Sequence, residues 1–173
     1  MVKYRYAFLS IILLIAQVSL NAQSGRHNIE AGVSGNVPYG MQSNTNIGLG
    51  IDAGYLYKLH EQNLLIFSFA SNKFRTNLEG NQYDNHFRSI SAGVRHLFSE
   101  RIYAQVLIGG AGYETTLVDN HFLGYGQLRA GYLMPSRNTA FDFSILINQT
   151  TEGMGWFGLR VGTMLTFGKS TER

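Results

Sequence analysis

The final stretch of the chain, residues 156–167, alternates between two kinds of side chain with a period of two. One face is apolar along its whole length and has an aromatic ring at each end, and the other is mostly small or polar. The apolar face holds Phe157, Leu159, Val161, Thr163, Leu165 and Phe167. An apolar face of about ten residues with aromatic ends is typical of the outward face of a transmembrane β-strand.

The same alternation recurs along the chain, where no segment keeps the 3.6-residue period of a helix. It predicts an all-β fold, an eight-stranded antiparallel up-and-down transmembrane β-barrel in which the last strand pairs with the first and leaves no open edge. The predicted strands are 27–37, 46–59, 63–75, 85–98, 102–115, 121–134, 139–149 and 156–167.

Residues 1–22 have the features of a secretory signal peptide. Lys3 and Arg5 form a basic start, an apolar run follows from Ala7 to Leu20, and Ala22 supplies a small residue before a cleavage point. We therefore expect a signal peptide at 1–22 and one barrel domain at 23–173. Export combined with amphipathic strands predicts the outer membrane of a Gram-negative bacterium.

Composition excludes several classes of function. Without the predicted signal, 12 basic side chains face 11 acidic ones, so no nucleic-acid partner is expected. The chain has no Cys, which removes disulfides, thiol nucleophiles and thiolate metal sites. Motifs for phosphate binding, zinc hydrolysis or a serine nucleophile are missing, so we expect neither a cofactor nor a bound metal.

The connections between strands are predicted to alternate in length. Odd-numbered connections read as longer polar loops and even-numbered ones as tight turns, as two-sided membrane topology requires. Pairing Phe98 with Ile102 across one turn aligns Val94 with Val106. We expect a β-bulge at Gly109–Gly112, where alternation is lost. The predicted outer loops are Pro38–Thr45, Thr76–Asp84 (the longest), Thr116–Asn120 and Thr150–Met154.

The inward positions combine glycines with charges of both signs. The predicted interior polar network comprises Glu30, Asp52, Lys58, Arg95, Arg129, Asp142 and Arg160. An eight-stranded barrel is just wide enough for side chains to fill, so this network predicts a non-conducting interior. We expect an ion pair between Arg129 and Asp142, and Glu30 as the partner of Arg160.

The signal, the eight alternating strands and the ending Gly158–Phe167 resemble the small outer-membrane β-barrel family of the OmpA/OmpX type. The resemblance implies partners in outer-membrane lipid and lipopolysaccharide, and recognition of the strand ending in Phe167 by the barrel-assembly machinery. It also implies a monomer. Gly109–Glu114 additionally resembles, faintly, barrel proteins encoded by conjugative transposons.

A repeated tetrapeptide marks the outer ends of two even-numbered strands. Asp84, His86, Asp119 and His121 are therefore candidates for a surface-binding rim, and turn chemistry is the alternative explanation of the repeat. We expect a structural, adhesive or surface-binding barrel that is not an enzyme. A lipid A-modifying enzyme is the main alternative, although Ser89 and Ser91 are not clearly placed for proton transfer with His86. A soluble lipocalin-like carrier would need an apolar cavity and a polar outside.

Overall fold

The computed structural model describes residues 27–41, 44–78, 80–115, 118–136 and 139–167. The predicted signal peptide lies outside these residues. Among them, no helix is long and apolar enough to cross a membrane.

Eight antiparallel strands close into one barrel, in the order in which they occur along the chain. The first and last strands pair directly, with Val33 opposite Val161, so the sheet has no open side. The predicted fold class is confirmed. The strands are β1 (His27–Tyr39), β2 (Gly48–Lys58), β3 (Asn63–Leu78), β4 (Asn81–Leu97), β5 (Ile102–Thr115), β6 (Val118–Ser136), β7 (Thr139–Thr150) and β8 (Gly155–Phe167).

The barrel has two distinguishable ends. We call the end that holds His27, Phe167 and the β2–β3, β4–β5 and β6–β7 connections the inner end, and the opposite end the outer end. In outer-membrane barrels an even number of strands puts the start of the first strand and the end of the last on the periplasmic side, so we expect the outer end at the cell surface.

The outward face carries a continuous apolar band. Alternate residues of every strand expose large apolar side chains, among them Leu49 (74% exposed), Ile108 (71%) and Leu159 (71%). A soluble protein rarely exposes a patch larger than a few hundred Å². A band that encircles the barrel is therefore a lipid-facing surface, and the chain spans a membrane with its strands.

The prediction of long odd-numbered connections is wrong in two places. β3 continues to Leu78 and β4 begins at Asn81, so the expected loop at Thr76–Asp84 is mostly a β-hairpin closed by Gly80 at φ +83°. The β5–β6 connection is equally short. Polar sequence predicted loops here, but above a membrane strands can continue with polar residues on both faces because their backbones pair with each other.

The expected bulge at Gly109–Gly112 is also wrong. Register across β4 and β5 is regular there, and the irregularity lies between Tyr113 and Thr115, in the pairing of β5 with β6. Gly109 instead allows the backbones of β4 and β5 to approach each other closely, because a Cβ at this position would overlap the carbonyl oxygen of Ile90. The predicted alignment of Val94 with Val106 is confirmed.

Candidate functional site: the closed interior and the charged outer rim

Glu30 lies at the centre of the barrel interior and receives two arginines. Arg95 donates from Nη2 at 2.6 Å and Arg129 from Nη1 at 3.0 Å, and all three side chains are nearly inaccessible. They come from β1, β4 and β6, so the contacts cross the lumen. Arg95 also donates to the Gln105 amide oxygen and stacks over the Tyr103 ring, 4.1 Å from its centroid.

Arg160 forms the second half of the interior network. Its Nε and Nη2 each donate at 2.7 Å to Asp52, and its Nη1 donates at 2.7 Å to Asp142. Tyr103 donates to both oxygens of Asp142, at 2.8 and 2.9 Å. Arg129 approaches Asp52 at 3.7 Å and so links the two halves. Three arginines and three carboxylates therefore neutralise each other in one connected set.

Two inward glycines make room for the Arg160 guanidinium. A Cβ added to Gly32 would lie 2.5 Å from Arg160 Cζ, and one added to Gly162 would lie 2.6 Å from Arg160 Nη1. Gly32 and Gly162 are register partners on β1 and β8, so the guanidinium lies against bare backbone. The inward glycines of the sequence are thus part of the network, a role that sequence reasoning missed.

Clusters of buried apolar side chains lie on both sides of these charges. Toward the outer end, rings from several strands pack around Trp156 in an outer plug, in which Trp156 lies 5.5 Å from the Phe74 ring and 5.1 Å from the Phe87 ring. Toward the inner end, aliphatic side chains form an inner plug. The outer plug comprises Phe74, Phe87, Ala111, Leu123, Tyr125, Leu146 and Trp156, and the inner plug Leu56, Leu64, Ile66 and Leu107.

Six of the seven residues predicted to form the interior polar network lie together in it. Lys58 is half-buried at the inner end of β2 and forms no ion pair within the described part of the chain. Two predicted pairings are wrong. Arg129 pairs with Glu30 rather than Asp142, because Asp142 lies opposite Leu133 in the β6–β7 register, beyond diagonal reach. Arg160 pairs with Asp52 and Asp142 rather than with Glu30.

Charged side chains project outward above the apolar band on β3, β4 and β5. Asp84 contacts Lys73 Nζ at 2.6 Å and Arg75 Nε at 3.4 Å, and Arg88 lies 3.6 Å from Glu114. The hydrogen bond from Lys73 and the charges of both cations hold the pKa of Asp84 below its usual value. Among the side chains that the structure describes, three cations and two carboxylates thus form a patch with a positive excess, here called the charged rim.

The structure does not bring the repeated tetrapeptides together into one site. His86 projects outward from β4 and the following Phe87 is buried inside, whereas Phe122 is exposed outside and His121 lies on the inward-facing side of β6. β5 separates the two strands. The side chain of Asp119 is not among those that the structure describes. The repeat therefore places its two histidines on opposite sides of the barrel wall.

A hydrolase-like pairing of serine and histidine has little support in this geometry. Ser89 and Ser91 are buried inside the barrel, while His86 lies on the opposite face of the same strand. Within the described residues, no group of three or more acidic or histidine side chains is arranged to hold a metal ion.

Known structures with the same architecture are small outer-membrane barrels. Ail of Yersinia pestis aligns with a TM-score of 0.60 at 17% identity, covering 84% of this chain and 100% of that chain. Neisserial surface protein A aligns with a TM-score of 0.63 at 12% identity, covering 83% and 98%. OprG of Pseudomonas aeruginosa gives a TM-score of 0.53 at 8% identity, covering 85% and 98%.

Sequence comparison adds nothing to this picture, because neither a protein-family model nor a curated protein sequence matches the chain. At these identities the likeness establishes the fold. The predicted resemblance to OmpA/OmpX-type barrels is confirmed at that level, and an outer-membrane location agrees with the lipid-facing band.

Proposed function

We propose that this outer-membrane β-barrel is a non-conducting structural, adhesive or surface-binding protein that acts through its outer end. The observation that carries the proposal is the interior: a neutralised network of three arginines and three carboxylates between two apolar plugs. Eight strands leave a lumen that side chains can fill, and here they fill it.

Conduction would require both the ionic and the apolar layers to open. An ion crossing the lumen would have to displace the Glu30–Arg95 or Asp142–Arg160 contact, in which all four side chains are fully buried. Separating such buried pairs exposes uncompensated charge at a cost of about 3–5 kcal/mol. The outer plug around Trp156 would remain as a second barrier.

The outer end offers a surface in place of a channel. Because the hairpin of β3 and β4 extends beyond the apolar band, it holds Lys73 and Arg75 on a rigid support, where adaptable binding groups commonly lie. Ail has been crystallised with sucrose octasulfate, a heparin analogue, and the structure of that complex aligns with this chain at a TM-score of 0.55. We infer that a partner carrying sulfated or phosphorylated sugars, lipopolysaccharide included, fits the charged rim.

A lipid A-modifying enzyme is the alternative from a different class. It would need a nucleophile matched with a base at the outer end, and the opposite orientations of Ser89 and His86 argue against that arrangement. A soluble carrier is disfavoured because it would need a polar outer face and an apolar cavity, and this barrel has the opposite arrangement. No observation favours a role in conjugation.

The test combines conductance with binding. The purified barrel in planar bilayers should give no steady channel current, and it should bind immobilised heparin and lipopolysaccharide with an affinity that falls as salt rises. Lys73→Gln with Arg75→Gln should weaken binding, whereas Lys58→Gln, at the inner end, should leave it unchanged. Steady conductance, release of fatty acid from lipid A, or equal binding by both variants would overturn the proposal.

A further inference from the structure

A groove interrupts the lipid-facing surface near the outer end of β6. Its volume is about 690 Å³, and its floor is the backbone at Gly124 and Gly126. Ile108 of β5 forms one wall, while Gln149 and Thr151 form the other. The Thr151 hydroxyl accepts a hydrogen bond from the Gly124 amide at 3.2 Å, which fixes that wall to the floor.

The groove lies where β6 presents Gly126 outward beside Ile108 of β5. Gly110 lies opposite Gly124, and Ile108 lies opposite Gly126, in the regular β5–β6 register. The exposed Phe122 ring covers Gly110, whereas a Cβ at Gly126 would meet nothing closer than the Leu107 carbonyl oxygen at 4.0 Å. The open position is therefore at Gly126, and the glycine-rich segment of β5 keeps regular register beside it.

Gly126 differs in its neighbours from an isolated outward glycine. Gly35 of β1 is also an outward glycine with open space around it, but its register partners on both sides are Leu49 and Leu159. Those two exposed side chains flank an isolated gap. At Gly126 the open position instead lies between Ile108 and the wall formed by Gln149 and Thr151, whereas at Gly124 the Thr151 side chain occupies the place of the missing side chain, with its Cγ2 atom 2.5 Å from an added Cβ.

The charged rim lies beside the upper end of the groove. Arg88 is the register partner of Gly112, two residues along β5 from Gly110, and its side chain is 62% exposed. The contact with Glu114, at 3.6 Å, leaves guanidinium donors available. Neighbouring strands lie about 4.8 Å apart and residues rise about 3.4 Å along a strand, so Arg88 on β4 is roughly 12 Å from Gly124 and roughly 17 Å from Gly126 on β6.

We propose that the groove binds an acyl chain of a phosphorylated glycolipid of the outer leaflet, with a phosphate of its headgroup at Arg88. A groove in a lipid-facing band is filled by hydrocarbon, and the positive excess of the charged rim selects an anionic headgroup. A second copy of the chain fits less well, since it would bring two charged rims together. The inference rests on the proposed function, because both use the charged rim, and the groove variants test the acyl contact apart from heparin binding.

Gly126→Leu fills the groove, and Gly35→Leu makes the same change at an open lipid-facing site outside it. Each protein, refolded into nanodiscs containing lipid A, is extracted into detergent and examined by native mass spectrometry for retained lipid A. Gel mobility of unheated samples verifies folding. Gly126→Leu should lower lipid A retention about tenfold, the effect of roughly two methylene groups losing contact, and Gly35→Leu should not change it.

The headgroup is tested separately with an exposed residue whose change leaves the fold intact. Arg88→Gln should lower retention of lipid A but not of dephosphorylated lipid A. Equal retention by wild type and Gly126→Leu, or equal losses in both leucine variants, would overturn the proposal. So would retention of phosphatidylglycerol as strong as that of lipid A. A wild-type dimer that Gly126→Leu abolishes would show an interface between copies instead.

Discussion

Arg160→Met tests whether the interior network stabilises the barrel through paired charge. In the structure, one guanidinium supplies donors at 2.7 Å to both Asp52 and Asp142. Methionine keeps most of the apolar stem but removes every donor. Asp142 then retains Tyr103, and Asp52 retains Arg129 at 3.7 Å.

The expected loss follows from burial. Arg160 and Asp142 are fully buried and Asp52 is 8% exposed, so the two carboxylates cannot recover hydration. Breaking one buried pair by removing a partner costs about 3–5 kcal/mol. Because Arg160 serves two carboxylates, the free energy of unfolding should fall by at least about 3 kcal/mol.

Urea unfolding in lipid vesicles provides the measurement. Trp156 is the single tryptophan of the sequence and lies in the outer plug, so its fluorescence reports the folded interior without a label. Lys73→Met is the matched control, since the Lys73–Asp84 pair is exposed and worth about 0–1 kcal/mol. If the two variants lost equal stability, the ionic network could not be a principal source of stability.

Three further predictions follow from the same geometry. Val161→Arg puts a charge into the lipid-facing band and should lower the free energy of unfolding by about 2–4 kcal/mol. A lipid-soluble photoprobe should label a cysteine at 161 but not at 160, and the reverse labelling would mean that the two faces are exchanged. Gly32→Ala should displace the Arg160 guanidinium, which supplies the three atoms nearest to the added Cβ, and should cost about 1–3 kcal/mol. Unchanged urea unfolding would contradict this reasoning. The hydrogen bond from Lys73 lowers the pKa of Asp84, so this carboxylate should stay charged to lower pH than a free one. Lys73→Ala should move the midpoint of the Asp84 ¹³C NMR titration back toward the usual value, and an unmoved midpoint would exclude Lys73 as the cause.

Sequence alone predicted the barrel because the band of lipid imposes a pattern on every strand. The last two strands show this best, since the expected bounds 139–149 and 156–167 differ by a single residue at one end from β7 and β8. Outside the band that constraint is lost. Thr76–Asp84 has no apolar face, so its composition resembled a loop, although the backbone pairs as a hairpin.

The interior residues were predictable as a set, but their partners were not. Alternation places Arg160 and Asp52 on the inward face, yet the two strands that carry them are not neighbours. Their contact depends on how the closed barrel brings opposite walls together, which neighbouring-strand register does not reveal. Arg129 shows the same limit, because its partner Glu30 lies across the lumen on β1.

The interior network also constrains how the chain enters the membrane. Most contacts of the network join strands that are far apart in the chain: Asp52 and Arg160 are separated by 108 residues and Glu30 and Arg129 by 99, whereas Asp142 and Arg160 lie on successive strands. A half-assembled sheet would carry unpaired arginines and carboxylates into the hydrocarbon layer, which costs free energy. The pairs that cross the lumen can form only as the barrel closes. We therefore expect insertion to be coupled to closure, and a truncation that removes β8 should leave the remaining seven strands at the membrane surface.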